Sequence, residues 1–529
     1  MRNHPFSYQR LPVLSLVIIF IVSVYTLWFF HPWTKNKDGN RGVIRWDVIT
    51  YYSYLPATVI YGDVTLKFLD EGIIKNDNKF WPIDLDNGNR LIVTSMGLSF
   101  LYSPFFFVAH ALAPLLGQEN DGFSNIYQFM LEISGFFYAF LGLILLARFL
   151  REQFDPLVTA ITLLVIGLGT NLYYYSTVEA AMPHSHNFFL ITLFMILVVR
   201  WYRKPSWYLG IFVGGLFGLI VLVRPTNILM FLFLFLYGVT SWKGLLERFG
   251  FYLKRWYLVL VMIAAFIVPW IPQFLYWKEI TGHYLFFSYG EKNASFFFSQ
   301  PQILKSLFHI RKGWFIYTPL MAFAIMGIPI LYRKNRAWFT PLVIYVPMMV
   351  FVQSSWWCWW FGGGYGLRPY ISMYPLLAIP LAVLLERVRL MKRKGFFYTL
   401  VPVMMLLVVY QVFQSRQFTT SAIHYSGTTW RSYKENFLKT YPTGPSWHML
   451  ELPDFELARK GIYVNYPTWE DKEAWKTMGK AEAFEKIGAE IRADRSVVRQ
   501  IRRYAGREGI AVDSAMVVVQ ERMYREKCD

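Results

Sequence analysis

Apolar positions in this chain come in long unbroken runs parted by short basic clusters, a pattern that holds from residue 11 to about residue 414 and then stops. The runs fall near 11–30, 91–116, 126–147, 156–175, 186–199, 207–241, 256–276, 313–332, 338–357, 370–386 and 396–414. A helix needs about 20 apolar residues to cross a hydrocarbon layer of roughly 30 Å, and no soluble fold uses so many such runs. The pattern predicts an all-α polytopic membrane protein.

Charge sets the number of crossings. Basic clusters stand at Arg2/Arg10, Arg148/Arg151, Arg200/Arg203/Lys204, Lys243 to Arg255, Arg333/Lys334/Arg336 and Arg387 to Lys394. Placed together on the cytoplasmic side, they require an even number of crossings between neighbours. As one helix, 207–241 would be about 50 Å long. It would also carry Arg224-Pro225 at its centre, so parity predicts two shorter helices with Arg224 at the outer turn. The 91–116 run, interrupted by Gly97, Pro104, His110 and Pro114, is one crossing too many and is expected to lie along the outer interface. The total is about 11 crossings, N-terminus inside and C-terminus outside. Three outer segments result: 31–125, 277–312 and the tail.

The domain division expected is a membrane domain over 1–414 and a polar extramembrane tail over 415–529, where composition changes at Gln414-Ser415-Arg416. In the tail, Phe484, Ile487, Ile491, Val498 and Ile501 approximate one helical face, and Asp513 is placed to cap a last helix, which predicts a small helical appendage.

Composition agrees with this picture: 55% of the 529 residues are hydrophobic and 16% charged. The net charge of +19 would suggest nucleic acid in a soluble protein. Here the cations lie between apolar runs, so the partner is the lipid bilayer and no nucleic acid is expected. Cys358 and Cys528 cannot build a disulfide framework, and two unbridged thiols are expected. The first run ends at His31-Pro32 with no small-residue cleavage site and reads as a retained signal anchor.

Candidate chemistry sits on the outer side. If the segment from Arg45-Trp46-Asp47 is helical, Asp47, Tyr51 and Tyr54 share a face at i, i+4 and i+7. Such a carboxylate can take a proton from a hydroxyl or hold a metal ion; it can equally be a helix N-cap. The next outer turn, Glu179-Ala180-Ala181-Met182-Pro183-His184-Ser185-His186, offers an acid and a His pair able to hold metal or phosphate, or merely to be solvated. Arg224 in its apolar hairpin costs about 2.5–3.5 kcal/mol unless it finds water or a partner. It either binds a lipid-linked phosphate or snorkels to headgroups. In 277–312, Lys278, His283, Lys292, Lys305, Arg311 and Lys312 face only Glu279 and Glu291, against the positive-inside trend. They are placed to meet an anion or anionic lipid. Trp356 to Arg368 would ordinarily be an aromatic belt, an account left incomplete by Gly362-Gly363-Gly364, which let backbone approach a ligand, and by the arginine fork beside them.

Taken in order, an acidic residue soon after the first helix, a Tyr-rich segment, a small-residue helix ending at Arg224, the Pro272 to Tyr284 stretch and a Trp/Gly-rich segment ending at Arg368 resemble the GT-C glycosyltransferases. These include protein O-mannosyltransferases and bacterial lipid A aminoarabinose transferases, which use polyprenyl-phosphate-linked sugars. The resemblance spans roughly residues 10–390. It implies a GT-C-like fold in a bacterial inner membrane with a catalytic Asp47, and a second acidic role for Glu179, which His184 rivals. Tyr51, Tyr54, His186, Arg224, Lys292, Arg311 and Arg368 would then bind substrate or its phosphate. The metal requirement is open, with Asp47 and His184 as ligands available to Mg or Mn.

The function expected is inverting transfer of a sugar from a polyprenyl-phosphate donor to a hydroxyl on a glycan, lipid or protein at the periplasmic face. A lipid-linked sugar flippase or a non-catalytic assembly protein is the alternative. Convergence of Asp47, Glu179, His184, Arg224 and Arg368 on one place favours the enzyme; scatter favours the others.

Overall fold

The computed structural model describes residues 6–34, 42–72, 79–292, 294–470 and 472–528. Among them, eight helices are long and apolar enough to cross a membrane: Leu11–Phe30, Gly97–Leu115, Asn125–Arg151, Pro183–Arg203, Trp256–Thr281, Arg336–Ser354, Arg368–Arg389 and Lys394–Thr419. Shorter apolar helices span Pro156–Gly167, Trp207–Val223 and Pro225–Leu236. The strands described are two short antiparallel pairs. The protein is an all-α, multi-pass membrane protein.

Two runs test the parity argument. The chain breaks at Arg224, whose backbone is extended between Trp207–Val223 and a 3-10 turn over Pro225–Leu229. The 91–116 run is less interrupted than its sequence suggests. Gly97 opens the Gly97–Leu115 helix and Pro114 falls in its last turn, so Pro104 is its one proline at mid-length, and apolar packing carries the helix through it.

The chain divides into two compact units, the first made of Met1–Lys292, Tyr317–Val350 and Arg368–Val412. Close packing in it depends on glycine. Gly210, Gly214 and Gly218 stripe one face of Trp207–Val223, which lies against Trp256–Ile267. A Cβ at Gly214 would fall 2.2 Å from the Met262 carbonyl oxygen, and one at Gly218 2.2 Å from that of Phe266. Small residues spaced by four let the two backbones touch.

The basic clusters gather at one end of this unit. Arg389 pairs with Asp155 at 2.5 Å, Tyr8 donates to Asp155, and Lys334 pairs with Glu386. Arg203 reaches Glu152 at 4.0 Å, and the Arg248 guanidinium lies 3.9 Å from the Tyr202 ring centre. His184 and Arg368 lie at the opposite ends of Pro183–Arg203 and Arg368–Arg389. For Pro183–Arg203 that is a separation of about 30 Å.

The second unit comprises Asn293–Ile316, Phe351–Leu367 and Phe413–Asp529. The tail thus begins within two residues of the compositional change, yet it folds together with two earlier loops. Phe297 N–H donates to Ser355 at 2.6 Å and Gln302 N–H to Ser354 at 2.8 Å. Helices Lys480–Ala493, Arg495–Glu508 and Val512–Cys528 close over Ile487, Ile491, Ile501 and Val519. The apolar face read from the sequence is therefore split between two helices by Asp494, which caps the second. Asp513 lies within the first turn of the last helix instead of capping it. Trp359 and Trp360 are buried against Ala458 and do not form a belt.

Candidate functional site

Trp46 sets the geometry of the site's first residue. Its backbone sits at φ 49°, ψ −133°, a conformation that favours glycine, and it turns the chain into the short helix Asp47–Tyr52. Trp46, not Asp47, occupies the N-cap position, and the Asp47 side chain caps nothing. It reaches instead to Arg368, whose Nη2 donates to Asp47 Oδ2 at 2.7 Å. The Asp47 side chain remains half exposed at 51%, against 16% for Arg368. The carboxylate is held by one oxygen and open at the other.

Arg224 enters from the hairpin break. Its Nη1 donates to His184 Nδ1 at 3.2 Å. No carboxylate lies within ion-pair reach of it among the described residues. Arg224 interacts electrostatically with Tyr51, Tyr289, Asp47 and Arg368. Tyr51 and Tyr289 share a hydrogen bond, and burial raises both phenols above their ordinary value. They stay protonated at neutral pH and can donate. Arg368 also interacts with Tyr175 and Glu179. The Tyr175 ring meets His184 edge-on at 5.0 Å.

Asp47, Tyr51, Glu179, His184, Arg224 and Arg368 therefore converge. Other residues singled out from sequence do not join them. Tyr54 falls in a separate helix, Tyr54–Val59, donates to the Thr94 carbonyl at 2.7 Å and packs on Tyr276. His186 is buried between Tyr102 and Tyr138, its Nε2 3.2 Å from Ser134 Oγ, as a packed core histidine. Arg311 belongs to the second unit, where Nη2 donates to the Glu451 carbonyl and to Asn465 Oδ1, each at 2.9 Å. The side chain of Lys292 lies outside the described residues.

The donor set bears on the question of a metal. Asp47 and His184, the available ligands, each face a guanidinium, and among the described residues no three His, Cys, Asp or Glu side chains are grouped so that they could hold one metal ion. Two guanidiniums and two phenols suit an anion, not a divalent cation.

Sequence reasoning passed over Tyr289 and Glu132. Nothing in the sequence singles out Tyr289 among 35 tyrosines. Glu132 did carry a signal, as the one acid in the apolar helix Asn125–Arg151. It is fully buried, and its Oε1 accepts the Ala180 N–H at 3.2 Å. Gly135, one turn on, makes this approach feasible, because a Cβ there would overlap the Ala180 carbonyl. Glu132 thereby holds the turn that carries Glu179.

No known protein family matches the chain, and no curated protein matches it in sequence.

Proposed function

We propose that this protein is a GT-C-type membrane glycosyltransferase. It moves a sugar from a polyprenyl-phosphate donor to an acceptor hydroxyl at the periplasmic face of a bacterial inner membrane, crossing it about 11 times with its N-terminus cytoplasmic. The observation that carries the reading is Arg224, a guanidinium in an apolar hairpin with no carboxylate partner, aimed at the same place as the half-open carboxylate of Asp47. A transferase needs a base for the acceptor and a cation for the leaving phosphate, and Asp47 and Arg224 offer one of each in mutual reach.

In this mechanism the acceptor oxygen gives its proton to Asp47 and attacks the anomeric carbon. The bond from that carbon to the phosphate oxygen breaks, and the polyprenyl phosphate departs with the electron pair. Arg224, Tyr51 and Tyr289 donate to the phosphate as its charge grows, where pre-aimed donors are most effective. Arg368 fixes the Asp47 rotamer, and Glu179 beside it balances the guanidinium. A single displacement inverts the anomeric centre.

The test is reconstitution in vesicles with a panel of radiolabelled polyprenyl-phosphate sugars and mixed glycan, lipid and peptide acceptors. Label passing into an acceptor supports transfer. Label crossing the bilayer still attached to its lipid would instead assign a flippase.

A further inference from the structure

The second unit carries a cationic face that the proposed reaction does not use. Arg495, Arg499, Arg502 and Arg503 are exposed on the outer side of Arg495–Glu508, while Val497, Ile501 and Ala505 on the inner side lock the helix into the core. The spacing i, i+4, i+7, i+8 puts the four guanidiniums on neighbouring positions of one surface. None of the four makes an ion pair, hydrogen bond or cation–π contact among the described residues. The acids at the two ends of the helix are engaged elsewhere: Asp494 accepts the Ser496 and Val497 N–H groups, and Glu508 interacts with Arg507.

The face also lacks what a protein partner would grip. On Arg495–Glu508 itself no large apolar side chain is exposed; the exposed Ile510 and Val512 follow its C-terminal end. Protein interfaces draw their affinity from such buried anchors, so recognition here rests on charge alone. Arginine forks match phosphate geometry better than lysine would. One polyanionic surface is always within reach, because the apolar helix Lys394–Thr419 leads into the segment that carries this face and a tether gives its neighbour a high effective concentration. We infer that Arg495, Arg499, Arg502 and Arg503 form a docking face for anionic phospholipid headgroups. The inference needs only that the chain spans a membrane and stands apart from the sugar-transfer reading.

The experiment uses the full chain in nanodiscs. Gly506 is exposed on the same helix with open space where a Cβ would go. It takes a fluorophore as Gly506→Cys in a background with Cys358 and Cys528 replaced by Ser. Quenching by a headgroup nitroxide is compared in phosphatidylcholine discs and in discs containing phosphatidylglycerol. The expected result is roughly twofold or stronger quenching in the anionic discs at low salt, reversed at high salt. Gln at all four arginines abolishes the difference while the thermal midpoint of the chain stays put. Equal quenching in both lipids overturns the inference. So does a response to added heparin with none to phosphatidylglycerol, which would assign a soluble polyanion instead.

Discussion

Asp47 and Arg368 lie 321 residues apart in sequence and meet at 2.7 Å. The pair is not a structural bridge of the ordinary surface kind, because the guanidinium is nearly covered while the carboxylate keeps one oxygen open to solvent. With the carboxylate half in solvent, the pair still contributes little stability, roughly 0–1 kcal/mol. Its value is in aiming the carboxylate. Asp47→Asn should therefore leave membrane abundance unchanged and lower transfer on the order of 10²–10⁴-fold. Retained activity in a vesicle assay removes Asp47 from the mechanism.

Arg224 predicts opposite signs for stability and function. Removing a cation that forms no ion pair from an apolar hairpin relieves a desolvation cost, so Arg224→Met should stabilise the chain by about 1 kcal/mol or more, seen as a raised thermal midpoint. Donor turnover should fall about 10²–10³-fold, the usual effect of losing one pre-aimed donor. Differential scanning fluorimetry and a donor saturation curve separate the two. A lowered midpoint would mean that the guanidinium is structural.

How much of this was legible beforehand depended on the physics of each residue. Arg224 stood out because a charge in an apolar run is costly wherever it lies, and the helix break it implied is present. Charge parity put Asp47, Arg224 and Arg368 on one expected face; that their side chains interact with one another was visible only in the structure. Tyr54 misled although the backbone stays helical through Ser53, because its hydroxyl is taken up by the Thr94 carbonyl, a partner 40 positions on that helical spacing does not reveal. His186 misled because sequence proximity to His184 says nothing about which side of the helix faces the core. Arg311 was unreadable as a structural residue, since its partners Glu451 and Asn465 lie over a hundred positions downstream.

The glycine stripe makes a sharper stability prediction. Gly214→Val puts a Cβ against the Met262 backbone, which cannot give way like the tip of a flexible side chain. Destabilisation of about 1–3 kcal/mol or more is expected, seen as a lowered midpoint in detergent. Gly250→Ala, where a Cβ meets nothing within 4 Å, is the control and should be neutral or slightly stabilising.

The second unit should weaken in acid. Burial pushes His309 and His424 down to about 4, with Arg311 next in importance for His309 and Lys312 for His424. In each ring Nδ1 accepts backbone N–H groups, from Arg311 for His309 and from Ser426 and Gly427 for His424, which requires that nitrogen to be unprotonated. Unfolded, both titrate near 6.5. A depressed histidine contributes stability above its unfolded value and loses it as pH falls, so the loss should begin near pH 6.5 and level off near pH 4. Hydrogen exchange over 413–470 between pH 7 and 4, corrected for intrinsic rates, should show protection falling by a few kcal/mol in that window. His424→Gln should flatten the profile.

The three-part make-up of the second unit also bears on how the protein is made. Asn293–Ile316 and Phe351–Leu367 leave the ribosome well before Phe413–Asp529, the segment they fold with. At about 5–20 residues per second, the two loops wait on the order of ten seconds without it. Through that interval Trp359 and Trp360 lack the Ala458 surface that later covers them. A chain cut short after Thr419 would keep its membrane helices and still display those tryptophans, the kind of nascent surface that quality-control proteases and chaperones recognise.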